Sequence, residues 1–202
     1  QMDPDNLKSL VRPILAGDVD FVKGNRMMNA ADIQQMPKTR RRASKILGWL
    51  TTLATGKKTT DPQCGYTASS STLLKHWNWD NSWKGYGYPN YWLIHLSSQG
   101  WNIRDVPVRA VYGSEISGIK PKRFFWNVGL MMTKEHHKRC FRHLKSSPLM
   151  WIAFTTYLLG YASLFYATTY PLAVLSLPVF WWVAHRVDRL AMHRYDGGRT
   201  KI

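Results

Sequence analysis

Residues 59–66 place a carboxylate, a carboxamide and a thiol between two apolar segments, in the side chains of Asp61, Gln63 and Cys64. Pro62 and Gly65 predict a sharp bend there, so that Asp61 is presented from a loop. A carboxylate on a rigid loop is a common catalytic device, whereas an Asx-type turn is the structural alternative. Both interpretations stay open on these residues alone.

The charge balance points to an anionic partner. The chain of 202 residues carries 28 Lys and Arg against 12 Asp and Glu, a formal net charge of +16. Nucleic acid, an acidic membrane surface and phosphorylated substrates all fit this excess. A hydrophobic content of 45% excludes intrinsic disorder. The two cysteines, Cys64 and Cys140, suit reduced thiols in a cytosolic setting better than a disulfide framework.

The apolar patterning predicts an α/β domain around this loop. Segment 27–38 reads as irregular, and Pro107 indicates an edge strand or a bulge. We predict helices at 4–16, 40–55, 70–76 and 90–99 and strands at 19–24 and 101–111, and we summarise the order as helix, strand, helix, loop, helix, strand.

Cations crowd the start of the second predicted helix. Arg40, Arg41 and Arg42 there oppose the helix macrodipole unless an anion binds beside them. A solvated basic surface explains them equally well. Arg26, directly after the first strand, could present its guanidinium to a phosphate.

Two candidate metal motifs and one aromatic segment have structural alternatives. Asp18 and Asp20 are better explained by a solvated turn. His136, Cys140 and His143 share a helical face, but ligands spread over two turns do not converge easily on one ion. The aromatic residues of segment 77–92 could stack on a sugar or base, lie among lipid headgroups, or fill a lid core.

The last third of the chain has the pattern of a membrane anchor. Residues 121–147 predict an amphipathic juxtamembrane helix, and residues 149–184 contain no Lys, Arg, Asp or Glu. Two transmembrane helices within 148–185, turning near 168–171, fit that length, and a buried soluble hairpin is the alternative. Because Lys and Arg flank both ends, we expect a multi-pass membrane protein with its catalytic domain, both hairpin ends and the basic tail, 186–202, in the cytoplasm.

Four blocks carry a family resemblance: residues 1–5 (Gln-Met-Asp-Pro-Asp), 20–26 (Asp-Phe-Val-Lys-Gly-Asn-Arg), 60–66 (Thr-Asp-Pro-Gln-Cys-Gly-Tyr), and Gly-Tyr-Pro-Asn at 87–90 with Asp-Val-Pro-Val at 105–108. In this order, residues 1–120 resemble the C-terminal part of a family 2 glycosyltransferase of the dolichyl- or polyprenyl-phosphate sugar synthase type. The resemblance implies the GT-A fold, followed here by the amphipathic helix and the two-helix hairpin. It also implies that the N-terminal nucleotide-binding half is missing, so we expect a fragment.

The resemblance assigns roles to individual residues. Gln1 matches a metal-binding Gln that follows an Asp-x-Asp motif, which would hold Mg or Mn upstream of this chain. Asp61 and Gln63 match the catalytic loop. Acceptor phosphate would be bound by basic and hydroxyl side chains, namely Arg26, Arg40, Arg42, Ser44, Ser117 and Lys120.

The implied activity is inverting hexosyl transfer from a nucleotide-sugar donor to a polyprenyl or dolichyl phosphate in the bilayer. A phosphate monoester with its second pKa near ~6 is largely ionised at neutral pH and needs no strong general base. One alternative transfers sugar to a glycolipid or polysaccharide hydroxyl, for which a carboxylate base such as Asp61 would matter more. Another is a non-catalytic membrane-anchored binding protein. We expect no nucleic-acid partner and leave a homo-oligomer open.

Overall fold

The strand β1 (Phe21–Asn25) is the central strand of a three-stranded sheet, and all five of its residues are buried. The strand β2 (Thr67–Ser69) pairs with it antiparallel, and β3 (Ile103–Pro107) pairs with it parallel on the other side. The parallel register sets Lys23 of β1 opposite Asp105 of β3. A lysine inside a strand buried on both faces requires such a partner.

The computed structural model describes residues 2–109 and 120–195. The chain forms two units, Gln1–Glu135 and His136–Ile202, which we call the N-terminal and C-terminal units. The sheet lies in the N-terminal unit, and one core cluster beneath it joins Phe21, Leu73 and Leu96 to Val128.

Some helices of the N-terminal unit begin or end at recognisable caps. Asp3 caps a short 3-10 helix (Pro4–Asn6), Asn29 caps the helix Ala30–Gln35, and Ser70 caps the helix Ser71–His76. The helix Lys38–Thr55 ends at Gly56, which is in the left-handed conformation. The α-helices are α1 (Leu7–Leu15), α2 (Ala30–Gln35), α3 (Lys38–Thr55), α4 (Ser71–His76), α5 (Tyr88–Ser98) and the long α6 (Pro121–His143), which continues into the C-terminal unit.

The element order agrees with the sequence-based expectation, and three details differ. Segment 27–38, expected to be irregular, contains α2 because the Asn29 side chain caps it. β2 was missed because three residues show no periodicity, and only pairing with β1 makes them a strand. β3 is shorter than expected and ends at Pro107 on the sheet edge, where a residue without an N–H is tolerated.

The C-terminal unit pairs two long helices, α7 (Pro148–Tyr166) and α8 (Ser176–Tyr195), joined through a 3-10 helix (Pro171–Leu175). The Tyr157 hydroxyl lies 3.4 Å from Asp188 Oδ2, whereas the nearest neighbours of Gly160 come from Leu177 to Trp181. A later residue of α7 therefore contacts earlier residues of α8, which shows that the two helices run antiparallel.

Among the described residues, α7 is the one helix long and apolar enough to cross a membrane. Only 28% of its most apolar window is buried, unlike the core helix of a soluble protein. The predicted second crossing falls on the 3-10 helix and the first half of α8, and Arg186, Asp188 and Arg189 lie in the remainder of α8. The length and composition of α8 therefore do not support a second crossing.

Gly24 should be intolerant of a side chain. A Cβ at this position would lie 2.8 Å from Val108 Cγ2 and 3.1 Å from the Tyr66 carbonyl oxygen. We expect Gly24→Ala to reduce the free energy of unfolding by about 1–3 kcal/mol through overpacking. Gly129→Ala, in α6 with no atom within 4 Å of its Cβ, should instead be stabilising by about 0.5–1 kcal/mol. Urea unfolding of the intact protein compares the two, and equal stability of both variants would contradict the packing.

Candidate functional site

The carboxylate of Asp61 is buried and fully engaged by Arg26. The Arg26 guanidinium donates from Nε to Oδ2 at 2.8 Å and from Nη2 to Oδ1 at 2.6 Å, and its backbone N–H donates to Oδ2 at 2.9 Å. Asp61 is 1% exposed and Arg26 is 8% exposed. This bidentate geometry is the strongest form of an Arg–carboxylate contact.

The backbone of the loop is bent at the same residue. Asp61 has φ of 46°, the single positive φ among the described non-glycine residues. Asp tolerates the left-handed region because its short polar side chain forms local hydrogen bonds. The loop also lies close to α3, since a Cβ on Gly48 would lie only 3.3 Å from the Thr59 carbonyl oxygen. The Thr59 N–H donates to Thr52 Oγ1 at 3.0 Å, which fixes the loop against this helix.

The sheet binds the loop through two buried polar side chains of β1. Lys23 Nζ donates to the Thr60 carbonyl oxygen at 2.9 Å and to Asp105 Oδ2 at 3.1 Å. Asn25 Nδ2 donates to Thr60 Oγ1 and to Asp105 Oδ2, both at 2.6 Å. Every buried cation or amide of β1 therefore has a partner, as low-dielectric surroundings require.

The helix α5 binds the other side of the loop. Gln63 Nε2 donates to Asn90 Oδ1, and the fully buried Asn90 donates in turn to Thr51 Oγ1 on α3 at 2.6 Å. We use the term polar cluster for the side chains gathered around the loop, namely Lys23, Asn25, Arg26, Thr60, Asp61, Gln63, Asn90 and Asp105.

The structure thus brings together three residues singled out in the sequence, Arg26, Asp61 and Gln63. Lys23, Asn25, Asn90 and Asp105 belong to the same cluster and were missed as site residues. One signal was available, since Lys23 and Asn25 are two positions apart in an otherwise apolar strand and so share a face.

The remaining phosphate-binding candidates lie elsewhere. Arg40 and Arg42 are exposed in the first turns of α3, and Ser44 follows one turn after Arg40 and is buried. That helix start has no acidic residue and no side-chain cap. Lys120 is exposed just before α6. Ser117 and Gln1 lie outside the described residues.

The polar cluster does not suit the divalent metal that the resemblance implies. Both oxygens of Asp61 accept from the Arg26 guanidinium, and Asp105 accepts from the Lys23 ammonium. Carboxylates already neutralised by cationic side chains are poor ligands for Mg or Mn. We therefore assign no metal to the polar cluster, and Gln1, the metal ligand that the resemblance implies, lies outside the described residues.

The thiol of the loop is buried beside these groups. Cys64 is fully buried, and burial raises the pKa of its thiol, with a smaller effect of the Asp61 charge in the same direction. A thiol held protonated is neither a nucleophile nor a metal ligand near neutral pH. We assign Cys64 to packing in the core cluster with Val22 and Val106.

The candidate metal ligands predicted on one helical face, His136, Cys140 and His143, do not form a group of three in the structure. His136 and Cys140 meet Asp188 with ligand atoms within 4.8 Å of one another, whereas His143 Nδ1 faces Ser146 Oγ. The Asp188 carboxylate is poorly available to a metal, because Arg139 Nη1 and Nη2 donate to its two oxygens at 2.8 and 2.6 Å. Burial also raises the pKa of Cys140 to about 12. We assign this cluster to helix packing.

The aromatic segment mainly fills the core of its unit. Trp77 is 7% exposed and stacks on Trp92 with ring centroids 4.0 Å apart. Tyr91 stacks on His95, whose Nε2 lies 3.0 Å from Glu135 Oε2. Trp79 and Tyr86 remain more than half exposed.

Two curated proteins resemble this chain in part. It is 30% identical over 112 residues to a UDP-N-acetylglucosamine–dolichyl-phosphate N-acetylglucosaminyltransferase of Methanococcus voltae, covering 55% of this chain and 45% of that protein. It is 28% identical over 112 residues to an uncharacterized protein of Methanocaldococcus jannaschii, covering 55% of this chain and 46% of that protein. The chain therefore spans about half the length of these relatives. No protein-family model matches it, and no solved structure matches it significantly. The first similarity supports a glycosyltransferase relationship.

Loss of the Asp61 charge should destabilise the N-terminal unit. Asp61→Asn removes the negative charge that the buried Arg26 guanidinium contacts through two hydrogen bonds, for which we expect a loss of about 3–5 kcal/mol in the free energy of unfolding. The matched control is Asp80→Asn, the same change at an exposed position, which should change it by less than about 0.5 kcal/mol. Urea unfolding followed by tryptophan fluorescence measures both. Equal stability of the two variants would contradict a structural role for the pair.

Proposed function

We propose that this chain is part of an inverting family 2 glycosyltransferase that transfers a sugar from a nucleotide-sugar donor to a polyprenyl or dolichyl phosphate. The observation that carries the proposal is the partial similarity to the Methanococcus voltae enzyme, whose name states both a UDP-activated sugar and a dolichyl phosphate. The GT-A fold of the whole domain, beyond the small sheet described here, is part of the same proposal.

The basic start of α3 is the proposed acceptor site. Arg40 and Arg42 are exposed there, and the first turn contains no acidic residue. A phosphate bound at this end would interact favourably with the guanidinium groups and with the helix macrodipole.

In the proposed reaction, a phosphate oxygen of the lipid attacks the anomeric carbon of the sugar. The bond from that carbon to the diphosphate oxygen breaks, and its electron pair leaves with the nucleoside diphosphate. Because the attacking oxygen is already ionised, the protein has to position the acceptor and exclude water without removing a proton.

The polar cluster favours a phosphate acceptor over a hydroxyl acceptor. Transfer to a hydroxyl needs a carboxylate base with an available oxygen. In the loop, Asp61 has both oxygens bonded to Arg26. Asp105 accepts from Lys23 and Asn25 through Oδ2. Asp61 is therefore proposed to be a positioning residue that fixes the loop through Arg26, and Gln63 to extend this fixation to α5.

Membrane attachment of the C-terminal unit supports the same acceptor. α7 is apolar, long enough to enter a bilayer, and mostly exposed. A polyprenyl phosphate keeps its chain in the hydrocarbon and its phosphate at the surface, so an enzyme attached there meets this substrate in two dimensions. We propose that the C-terminal unit provides the attachment.

Arg40 provides the test of the acceptor site. In the full-length protein, we expect Arg40→Ala to lower kcat/KM for dolichyl phosphate by about 10–100-fold, the effect of one charge-assisted hydrogen bond. The control is Lys8→Ala, which removes an exposed cation from α1 and should leave kcat/KM unchanged. Transfer of radiolabelled sugar from a UDP-sugar to dolichyl phosphate is measured for both, with thermal unfolding as a check on folding. Full activity of a folded Arg40→Ala enzyme would refute the acceptor site.

A further inference from the structure

One end of the α7–α8 pair exposes apolar side chains on all sides. We call residues 158–184 the hairpin tip. It contains no Lys, Arg, Asp or Glu. Its exposed side chains belong to both helices and to the connection between them, among them Leu159, Phe165, Leu172, Leu175, Val179 and Trp182. An apolar surface of this extent requires a hydrocarbon or protein partner.

Charged side chains surround the other end of the tip. Arg139 of α6 and Asp188 of α8 form a buried pair, which places these parts of the two helices at one level. Exposed cations lie within about one turn of this pair on each helix. We call them the cationic collar: Lys138, Arg142, Arg186 and Arg189.

The tip is too short to cross a bilayer. The apolar part of α8, from Ser176 to Ala184, has nine residues and is about 14 Å long at 1.5 Å per residue. The hydrocarbon core of a bilayer is about 30 Å thick. The 3-10 helix Pro171–Leu175 at the end of the tip adds at most about 10 Å at 2 Å per residue. The tip therefore ends inside the core when Arg186 lies at its edge.

If α7 crossed the bilayer fully, the cationic collar would lie in the hydrocarbon core. Tyr157, the middle residue of α7, contacts Asp188. If α7 spanned the core, the exposed Arg186 and Arg189 would therefore lie near its midplane, at a cost of about a hundredfold per arginine in the insertion equilibrium. A crossing α7 would also bury Trp151 and Ile152, which are exposed and lie near the start of this helix. This does not require a crossing for Trp151, because Trp is favourable in the headgroup region as well.

The contact at the edge of the tip has the composition of a membrane interface. The Arg186 guanidinium carbon lies 5.8 Å from the centroid of the Trp182 ring, and the Trp182 side chain is 64% exposed. Trp and Arg side chains are both favoured at the headgroup level, where the ring and the stem are apolar and the charge stays hydrated.

We propose that the hairpin enters only one leaflet of an anionic bilayer, with the tip in the hydrocarbon and the cationic collar on the phosphate headgroups. Both ends of the hairpin then lie on one side without any helix crossing. The inference rests on the membrane attachment proposed above and is independent of the sugar-transfer reaction.

The test places a cysteine at the tip. Leu172→Cys is made at a position that is 79% exposed, and Ser146→Cys, in the connection before α7, is the control. Both native cysteines are fully buried and give little background. The full-length variants are bound to preformed vesicles of equal parts phosphatidylcholine and phosphatidylglycerol and recovered by flotation. A membrane-impermeant maleimide is then supplied either outside the vesicles or trapped in their lumen.

We expect the outside reagent to label Leu172→Cys at least about tenfold more slowly than Ser146→Cys, because a thiol in hydrocarbon neither ionises nor meets the reagent. The lumenal reagent should label neither variant. Labelling of Leu172→Cys from the lumen would show a crossing hairpin and overturn the proposal. Labelling from outside at the rate of the control would show that the tip is not inserted.

The collar is tested in the same vesicles. Replacing Arg189 by Ala should weaken binding about fivefold, the effect of one cation at an anionic surface, and Lys8→Ala, in α1, should not. Equal binding of both variants would overturn the assignment of the collar to headgroups. Failure of the unaltered protein to float with the vesicles would overturn both this inference and the proposed membrane attachment. The proposed sugar transfer is tested separately, by the transfer assay described above.

Discussion

The buried ion pair between Arg26 and Asp61 is the interaction on which the N-terminal unit depends. Moving two charges out of water costs several kcal/mol per ion, and good geometry with further hydrogen bonds is needed to offset that cost. Here the contact is bidentate, and the Arg26 backbone N–H adds a third hydrogen bond. The pair joins the end of β1 to a loop with a left-handed residue at its centre.

This constraint also limits the chemistry that the cluster can perform. Asp61 accepts from Arg26 through both of its oxygens, so it fixes the loop and has no oxygen left with which to remove a proton. Asp105 accepts from Lys23 through Oδ2. A reaction whose nucleophile arrives already ionised fits such a site. The similarity to a dolichyl-phosphate sugar transferase and the basic start of α3 agree with that requirement.

Local signals were sufficient to predict much of the fold. Pro62 and Gly65 predicted the bend that presents Asp61, and the predicted helices at 40–55 and 70–76 agree with α3 and α4 to within about two residues. The contact of Lys23 with Asp105 joins residues 82 positions apart, and a parallel register over that separation depends on the whole fold. The sequence likewise could not identify Arg26 as the partner of Asp61, because an arginine side chain suits a phosphate as well as a carboxylate.

The anchor shows the same division between local and long-range information. The charge-free run up to Ala184 and its division between two helices near 168–171 were both evident in the sequence. Only the contact between Tyr157 and Asp188 shows that the charged half of α8 lies beside the middle of α7.

The most direct test of the account is a comparison of dolichyl phosphate with dolichol as acceptors for the full-length protein. The two lipids differ in that dolichol carries a hydroxyl in place of the phosphate. The account predicts transfer of sugar from a UDP-sugar to dolichyl phosphate and no transfer to dolichol. Transfer to dolichol, or to neither lipid with any nucleotide sugar, would contradict it.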